Sequence, residues 1–189
     1  PVGPNIEPLQ DKPRPPMQVP KGTKILSAGK PATTSVKPFT GELEQITDGK
    51  KEAFDYDSVE MKKGSQWVQV DLGRSLPVDE VRLIPARPID FPDTPGFGFP
   101  ARFRVEISDD PNLASREALA DHTAADFKNQ GDKAVSFPAA SKPARYIRVT
   151  ASQLWQRTSD YVFALAEMQV LAGGTNAAFG APVSALDSI

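Results

Sequence analysis

The 189-residue chain carries a net charge of −2, with 39% apolar and 24% charged residues; this suits a soluble globular protein and gives no electrostatic case for binding nucleic acid or an anionic membrane. Cysteine is absent and His122 is the only histidine, which excludes disulfides, thiol catalysis, histidine-based triads and multi-histidine metal sites. The length holds one domain of about 100–150 residues plus tails, and no apolar run approaches the ~18 residues of a membrane span.

Residues 1–23 are proline-rich without an apolar period and read as an extended leader or linker of a mature or trimmed chain. Residues 24–35 open the domain with a short edge strand. From Val36 to Lys63 there is no clear period, and the pattern predicts long loops with a turn at Asp48-Gly49. Two alternating runs follow, Trp67 to Leu72 and Val78 to Ile84, separated by the breakers Gly73-Arg74-Ser75-Leu76-Pro77. Alternation on both sides of such a segment predicts two antiparallel strands, each with one buried face. Pro85, Pro88, Pro92, Pro95 and Pro100 exclude a helix or interior strand between them, although that segment carries Phe91, Phe97 and Phe99. Arg102 to Ser108 is a clear strand ended by Asp109-Asp110-Pro111. Residues 112–120 fit either a helical turn or a short strand. Lys133 to Phe137 and Ala144 to Ala151 are further short strands, and Tyr161 to Leu171 is the last.

At least six short strands, long loops and no clear helix predict an all-β sandwich of the jelly-roll kind, which gathers binding loops at its two ends. The domain is bounded at 24–172. Residues 173–189 form a linker, and Ala177 to Ala185 repeats the pattern of Leu26 to Ser35, as if a second, similar domain begins there.

The opening SAGKPATTS, the ITDG turn, WVQVDLG followed by VDEVRLIP, the RFRVEIS and RYIRVTA strands and the closing FALAEMQV resemble, in order and spacing, the discoidin family of coagulation-factor C-type domains, which includes family 32 carbohydrate-binding modules. The resemblance spans residues 24–172. It implies an eight-stranded galactose-binding-like jelly roll and an extracellular setting: secreted, periplasmic or on a bacterial surface. It also implies attachment, through neighbouring domains of one polypeptide, to a glycan-degrading enzyme such as a glycoside hydrolase.

The same resemblance implies a structural calcium, with Asp48 and Glu167 as carboxylate ligands and Gln45, Lys50 and Ala166 giving backbone carbonyls. A hard cation of this kind takes six to eight oxygens. Lys50-Lys51-Glu52-Ala53 departs from the Asp/Asn and Ser/Thr often found there, and its two lysines lower the local negative charge. Without an ion, Asp48 would make an Asx-type turn with Gly49 and Glu167 would pair with a nearby base.

A glycan needs aromatic rings for its C–H faces and planar charged groups for its hydroxyls. The loops offer Phe91, Phe97, Trp155 and Tyr161 with Arg87, Arg157 and Asp160, and further Phe54, Tyr56 and Phe99. The competing reading makes these a satellite core under the proline-rich loop, with Trp155 plugging the sandwich and Arg157–Asp160 an ion pair holding its loop. Exposure of at least two of Phe91, Phe97, Trp155 and Tyr161 on one concave end favours a glycan module; burial of all four favours a structural spacer or protein-interaction domain. Trp67 and Tyr146 read as core or sheet surface. Asp55, Asp57 and Glu60 read as a solvated or ion-binding face rather than a glycosidase pair, and His122 as a surface residue, so no active site is expected.

Overall fold

The computed structural model describes residues 19–38, 40–50 and 65–173 and, between these, the backbone of Val59–Lys62. Most of the leader, Phe54, Asp55, Tyr56, Asp57, the Glu60 side chain and the repeated tail motif lie outside the described residues. Eight strands run in the order β1 (Ala32–Thr34), β2 (Val59–Lys62), β3 (Gln66–Pro85), β4 (Arg102–Ser108), β5 (Arg116–Asp121), β6 (Val135–Gln153), β7 (Trp155–Gln156) and β8 (Tyr161–Leu171). A 3-10 turn at Leu43–Thr47 is the one helical element among the described residues. No helix there is long and apolar enough to cross a membrane.

The two runs around Gly73–Pro77 are not an antiparallel pair. They are halves of one strand, β3, and both pair in the same direction with β6: Trp67 opposite Thr150 and, beyond a register shift between Asp71 and Leu76, Val81 opposite Phe137. The breakers make a bulge instead of a reversal. Gly73, at φ 81°, donates its N–H to Asp71 Oδ1 at 2.7 Å, and the strand resumes with Leu72 and Val78 both in the core. Pro77 faces Pro143, so neither strand has a ladder N–H to lose at the bend. The short strands read at 133–137 and 144–151 are likewise one strand, β6, kinked by Ala140 and Ser141 at positive φ. The ambiguous segment 112–120 is a turn followed, from Arg116, by β5.

Because β3 and β6 bend, each serves two layers. Their Trp67–Asp71 and Tyr146–Ala151 halves join β1, β4 and β5, while their Glu80–Pro85 and Val135–Pro138 halves join β8 and β2. Val68, Val70, Phe103, Val105, Ile107, Ile147 and Val149 face Leu83, Phe137, Phe163, Leu165, Met168 and Val170 in one apolar core. This is the antiparallel sandwich the alternation predicts, all-β and nearly without helix. Burying a side chain of this size is worth about 1.5–3 kcal/mol, so the core dominates stability. His122 is not a simple surface residue: half-buried, it packs its ring on Phe103 and Phe127, with centroids 5.1 and 4.7 Å away.

Candidate functional site

The proline-rich loop 86–100 is held against the sandwich at three points. Ala86 bridges Phe97 across the loop. Gly98, at φ 67°, lies so close to β8 that a Cβ there would meet the Ala164 Cβ at 2.5 Å, and its carbonyl accepts the Ala164 N–H at 2.9 Å. Asn129 hooks the loop from the other side: its Nδ2 donates to the Gly96 carbonyl at 3.0 Å, while its Oδ1 accepts the Gly131 N–H. These attachments sort the loop's phenylalanines. Phe99 enters the main core, and Phe97 is 1% exposed in a satellite cluster with Ala86, Val162 and Ala164, on which Trp155 packs.

On this base stands a surface cluster. Phe91 stacks on Phe97 with centroids 5.0 Å apart and remains 38% exposed; Trp155 tilts against Phe97 at 5.2 Å. The Arg157 guanidinium lies 5.3 Å from the Phe91 centroid and 5.9 Å from that of Phe97, within cation–π range. A tight turn joins β7 to β8, closed by the Arg157 N–H on the Asp160 carbonyl at 3.0 Å. Across it Arg157 grips Asp160 with two bonds, Nε to Oδ1 at 3.0 Å and Nη2 to Oδ2. Tyr161 follows at once, 43% exposed and opposite Gln156. Six of the seven candidate glycan residues thus fall together, and two of the four diagnostic aromatics are exposed.

Phe97 is corrected from an exposed ring to a buried one beneath Phe91, and half-buried Trp155 packs on it. Arg87 is also corrected: its Nε stands 3.6 Å from Asp132 Oδ2, with both side chains almost wholly buried, so it fastens the base of the loop. Ile89, 52% exposed at the tip of the Pro88–Phe91 turn, was missed; the signal was an apolar residue just after a proline in a turn. The cluster combines an apolar ring face with a net-neutral pair that donates through Arg157 and accepts through Asp160. Such a pair matches the hydroxyls of an uncharged polyol better than an anion, which Asp160 would repel.

The second candidate site lies further along β8. Glu167 is fully buried, and neither carboxylate oxygen has a formed hydrogen bond. Burial, then the charge of Asp48, push its pKa up to about 8, with the Gln169 amide acting weakly the other way. The expected base partner for Glu167 is therefore missing among the described residues. Asp48 ends the 3-10 turn and does make the Asx turn: Oδ1 accepts the Lys50 N–H at 2.7 Å, and Oδ2 lies 3.8 Å from Lys50 Nζ. Gln45 lies within that turn, its side chain closing a capping box on Glu42. Ala166, beside Glu167, is the residue skipped where β8 changes register against Ile84 and Pro85. A skipped residue is released from the ladder, as a carbonyl ligand requires. A buried, unpaired carboxylate facing a second one fits a cation, although no group of three or more acidic or histidine side chains gathers here among the described residues.

A family model described as F5/8 type C domain matches residues 31–167. No curated protein matches by sequence. Among known structures, the lectin domain of Lectinolysin complexed with Lewis B antigen superposes with a TM-score of 0.60 at 21% identity, covering 80% of this chain and 98% of its own. A Streptococcus pneumoniae fucose binding module gives 0.58 at 20%, covering 82% and 99%. CpGH89CBM32-4 from Clostridium perfringens, in complex with GlcNAc-α-1,4-galactose, gives 0.59 at 20%, covering 78% and 92%.

Proposed function

The chain belongs to the F5/8 type C domain family, a family of non-catalytic binding domains, and from that premise we propose that it is a carbohydrate-binding module whose site is the Phe91–Arg157–Asp160–Tyr161 cluster. The observation that carries the reading is the Phe91 ring, held in solvent by a fully buried Phe97 and crossed by an Arg157 already locked to Asp160. Such preorganisation lowers the ordering cost of binding. The ligand is an uncharged sugar: its C–H face lies on Phe91 while Arg157 and Asp160 take adjacent hydroxyls. The similarity to modules described as binding fucose or Lewis antigen supports the class.

The module tethers a secreted, periplasmic or surface glycan-degrading enzyme to its polysaccharide by raising local concentration. The geometry suits this role. The chain enters beside its exit, with Ile25 bridging Leu171, whereas the cluster sits at the start of β8; its eleven residues separate the two ends by roughly 30 Å. The cluster therefore points away from whatever the flanking segments join. Ile89 and Phe91 resemble membrane-inserting spikes, but Asp90, Asp93 and Asp160 around them oppose an anionic lipid surface.

The module also holds a structural calcium, through the carboxylates of Asp48 and Glu167 and the carbonyls of Gln45, Lys50 and Ala166. The ion supplies the positive charge that Glu167 lacks and fastens the 43–48 turn to β8. The test is a screen of the folded chain against plant, microbial and host glycans in calcium buffer, repeated with Phe91→Ala. Binding of neutral glycans that the variant loses supports the assignment. A blank from folded protein overturns it in favour of a structural spacer or protein-interaction domain.

A further inference from the structure

The outward face of the β3–β6–β4 layer carries a second arrangement, independent of the loop cluster. Register sets it out in rows: Gln69, Arg148 and Glu106 lie side by side, and in the next row Trp67, Thr150 and Arg104. Along β6 the outward residues Thr150 and Ser152 are small, whereas Trp67 on β3 and Arg104 and Arg102 on β4 are large. Adjacent strands are about 4.8 Å apart, so Trp67 and Arg104 flank a trough roughly two strand spacings wide, enough for a pyranose ring. Arg148 closes one end.

Arg148 differs from its neighbours. Arg102, Arg104 and Arg116 are each held by a carboxylate, to Asp126 at 2.6 Å, Asp121 at 3.0 Å and Glu106 at 2.7 Å. The Arg148 guanidinium instead lies 4.1 Å from the Trp67 ring centroid, with Nε donating to Gln69 Oε1 at 2.8 Å and Nη2 to the Pro111 carbonyl at 3.0 Å. Its partners are thus a ring, an amide and a carbonyl, all neutral, and the adjacent Glu106 is engaged by Arg116. Burial holds its pKa below the usual guanidinium range, though it stays charged. The result is a fixed, partly desolvated planar cation on an aromatic wall, whose neighbouring carboxylate, Glu106, is bound by Arg116.

We propose that this trough is a second saccharide site, selective for a carboxylate-bearing sugar such as a uronic acid: Arg148 takes the carboxylate beside the Trp67 ring that it covers, and the sugar ring lies over Thr150 between Trp67 and Arg104. It complements the loop cluster, which favours uncharged sugars. An acidic polysaccharide would therefore meet the sheet face and a neutral one the loop end, and a chain of mixed composition would meet both.

The experiment is NMR titration of the full chain with oligogalacturonate. The two indole N–H signals, of Trp67 and Trp155, are distinguished with Trp155→Phe. The Trp67 signal should shift to saturation while that of Trp155 stays in place, and the affinity should fall as salt is raised. Arg148→Met should weaken binding at least tenfold. Because that substitution also releases the Pro111 carbonyl, Thr150→Phe provides a second variant: it fills the trough from a half-exposed strand position, leaves the Arg148 bonds alone, and should block binding equally. No Trp67 shift with wild-type protein, a shift confined to Trp155, or an equal response to a neutral oligosaccharide overturns the proposal.

Discussion

The two ends of β8 solve opposite problems. At its start, Arg157 holds Asp160, and at the base of the proline-rich loop Arg87 holds Asp132. The apolar groups left in solvent there are the rings of Phe91 and Tyr161 and the Ile89 side chain, with the exposed carboxylates of Asp90 and Asp93 in the same loop. Six residues further along, Glu167 is withdrawn from solvent, and among the described residues it meets no counter-charge, only the like charge of Asp48. The first region is the more nearly complete electrostatically and is hydrophobically open, as the proposed uncharged ligand requires. The second is hydrophobically closed and electrostatically incomplete, the gap that the proposed ion would fill. The comparison also warns against treating loop charges as binding groups by default, since Arg87 and Arg157 come from similar contexts and only one is at the surface.

The largest effect should come from the incomplete end. Without metal, the folded chain keeps on Glu167 a proton that the unfolded chain releases between pH 4.5 and about 8. Folded protein then binds more protons than unfolded in that window, so stability is highest below it and falls as pH rises towards 8. At about 1.4 kcal/mol per pKa unit the loss is on the order of several kcal/mol, or about 10 °C in melting temperature. Melting in chelator across this range should show the slope, and calcium at pH 7.5 should restore the loss. Glu167→Gln should flatten the slope, raise the metal-free melting temperature and abolish the calcium response. A wild-type melting temperature indifferent to calcium would remove the ion, and a flat pH profile would remove the isolated carboxylate.

The complete end should break sterically instead. Gly98→Val places a branched side chain at positive φ against Ala164 and Val162. Overpacking of this kind costs about 1–3 kcal/mol, with backbone strain in addition. The loop should lift, Phe91 should lose its support on Phe97, and glycan binding should vanish while the calcium response remains. A variant with normal melting that still binds glycan would show that the Gly98–Ala164 contact does not position the site.

How much of this was written locally is clear from particular residues. The strands β4 and β8 were legible because each is a short run rich in β-branched, aromatic and other apolar residues, bounded by turn residues and without an internal breaker. The course of β3 was not: Gly73 and Pro77 look the same whether they reverse a chain or bulge it, and what decides is the Asp71–Tyr146 register with a strand more than seventy residues away. The site divides in the same way. Phe91, Arg157, Asp160 and Tyr161 stood out as aromatic and planar charged groups in loops. Nothing nearby separates Phe91 from Phe97, because exposure was settled by Gly98 meeting Ala164 and by Asn129 reaching Gly96. The Asp48–Glu167 pairing came from resemblance to a family. The isolation of Glu167 emerges only once the 3-10 turn packs on β8.

Smaller effects sharpen the complete end. Phe91→Ala removes a ring that is already 38% exposed, so stability should change by less than about 1 kcal/mol while glycan affinity falls at least tenfold, readable by calorimetry. Asp160→Asn is subtler and more informative. The pair is about one-quarter to one-third exposed, a setting in which ion pairs contribute about 0–1 kcal/mol, so melting should barely move. The shape is preserved, yet the site gains one uncompensated positive charge from Arg157. If the pair works as a neutral donor–acceptor unit, neutral glycans should bind a few-fold more weakly, because the acceptor oxygen is now shared with an amide donor, and acidic glycans should gain over wild type. If neutral-glycan affinity and charge preference are both unchanged, Arg157 and Asp160 only brace the β7–β8 turn, and the ligand rests on Phe91 and Tyr161 alone.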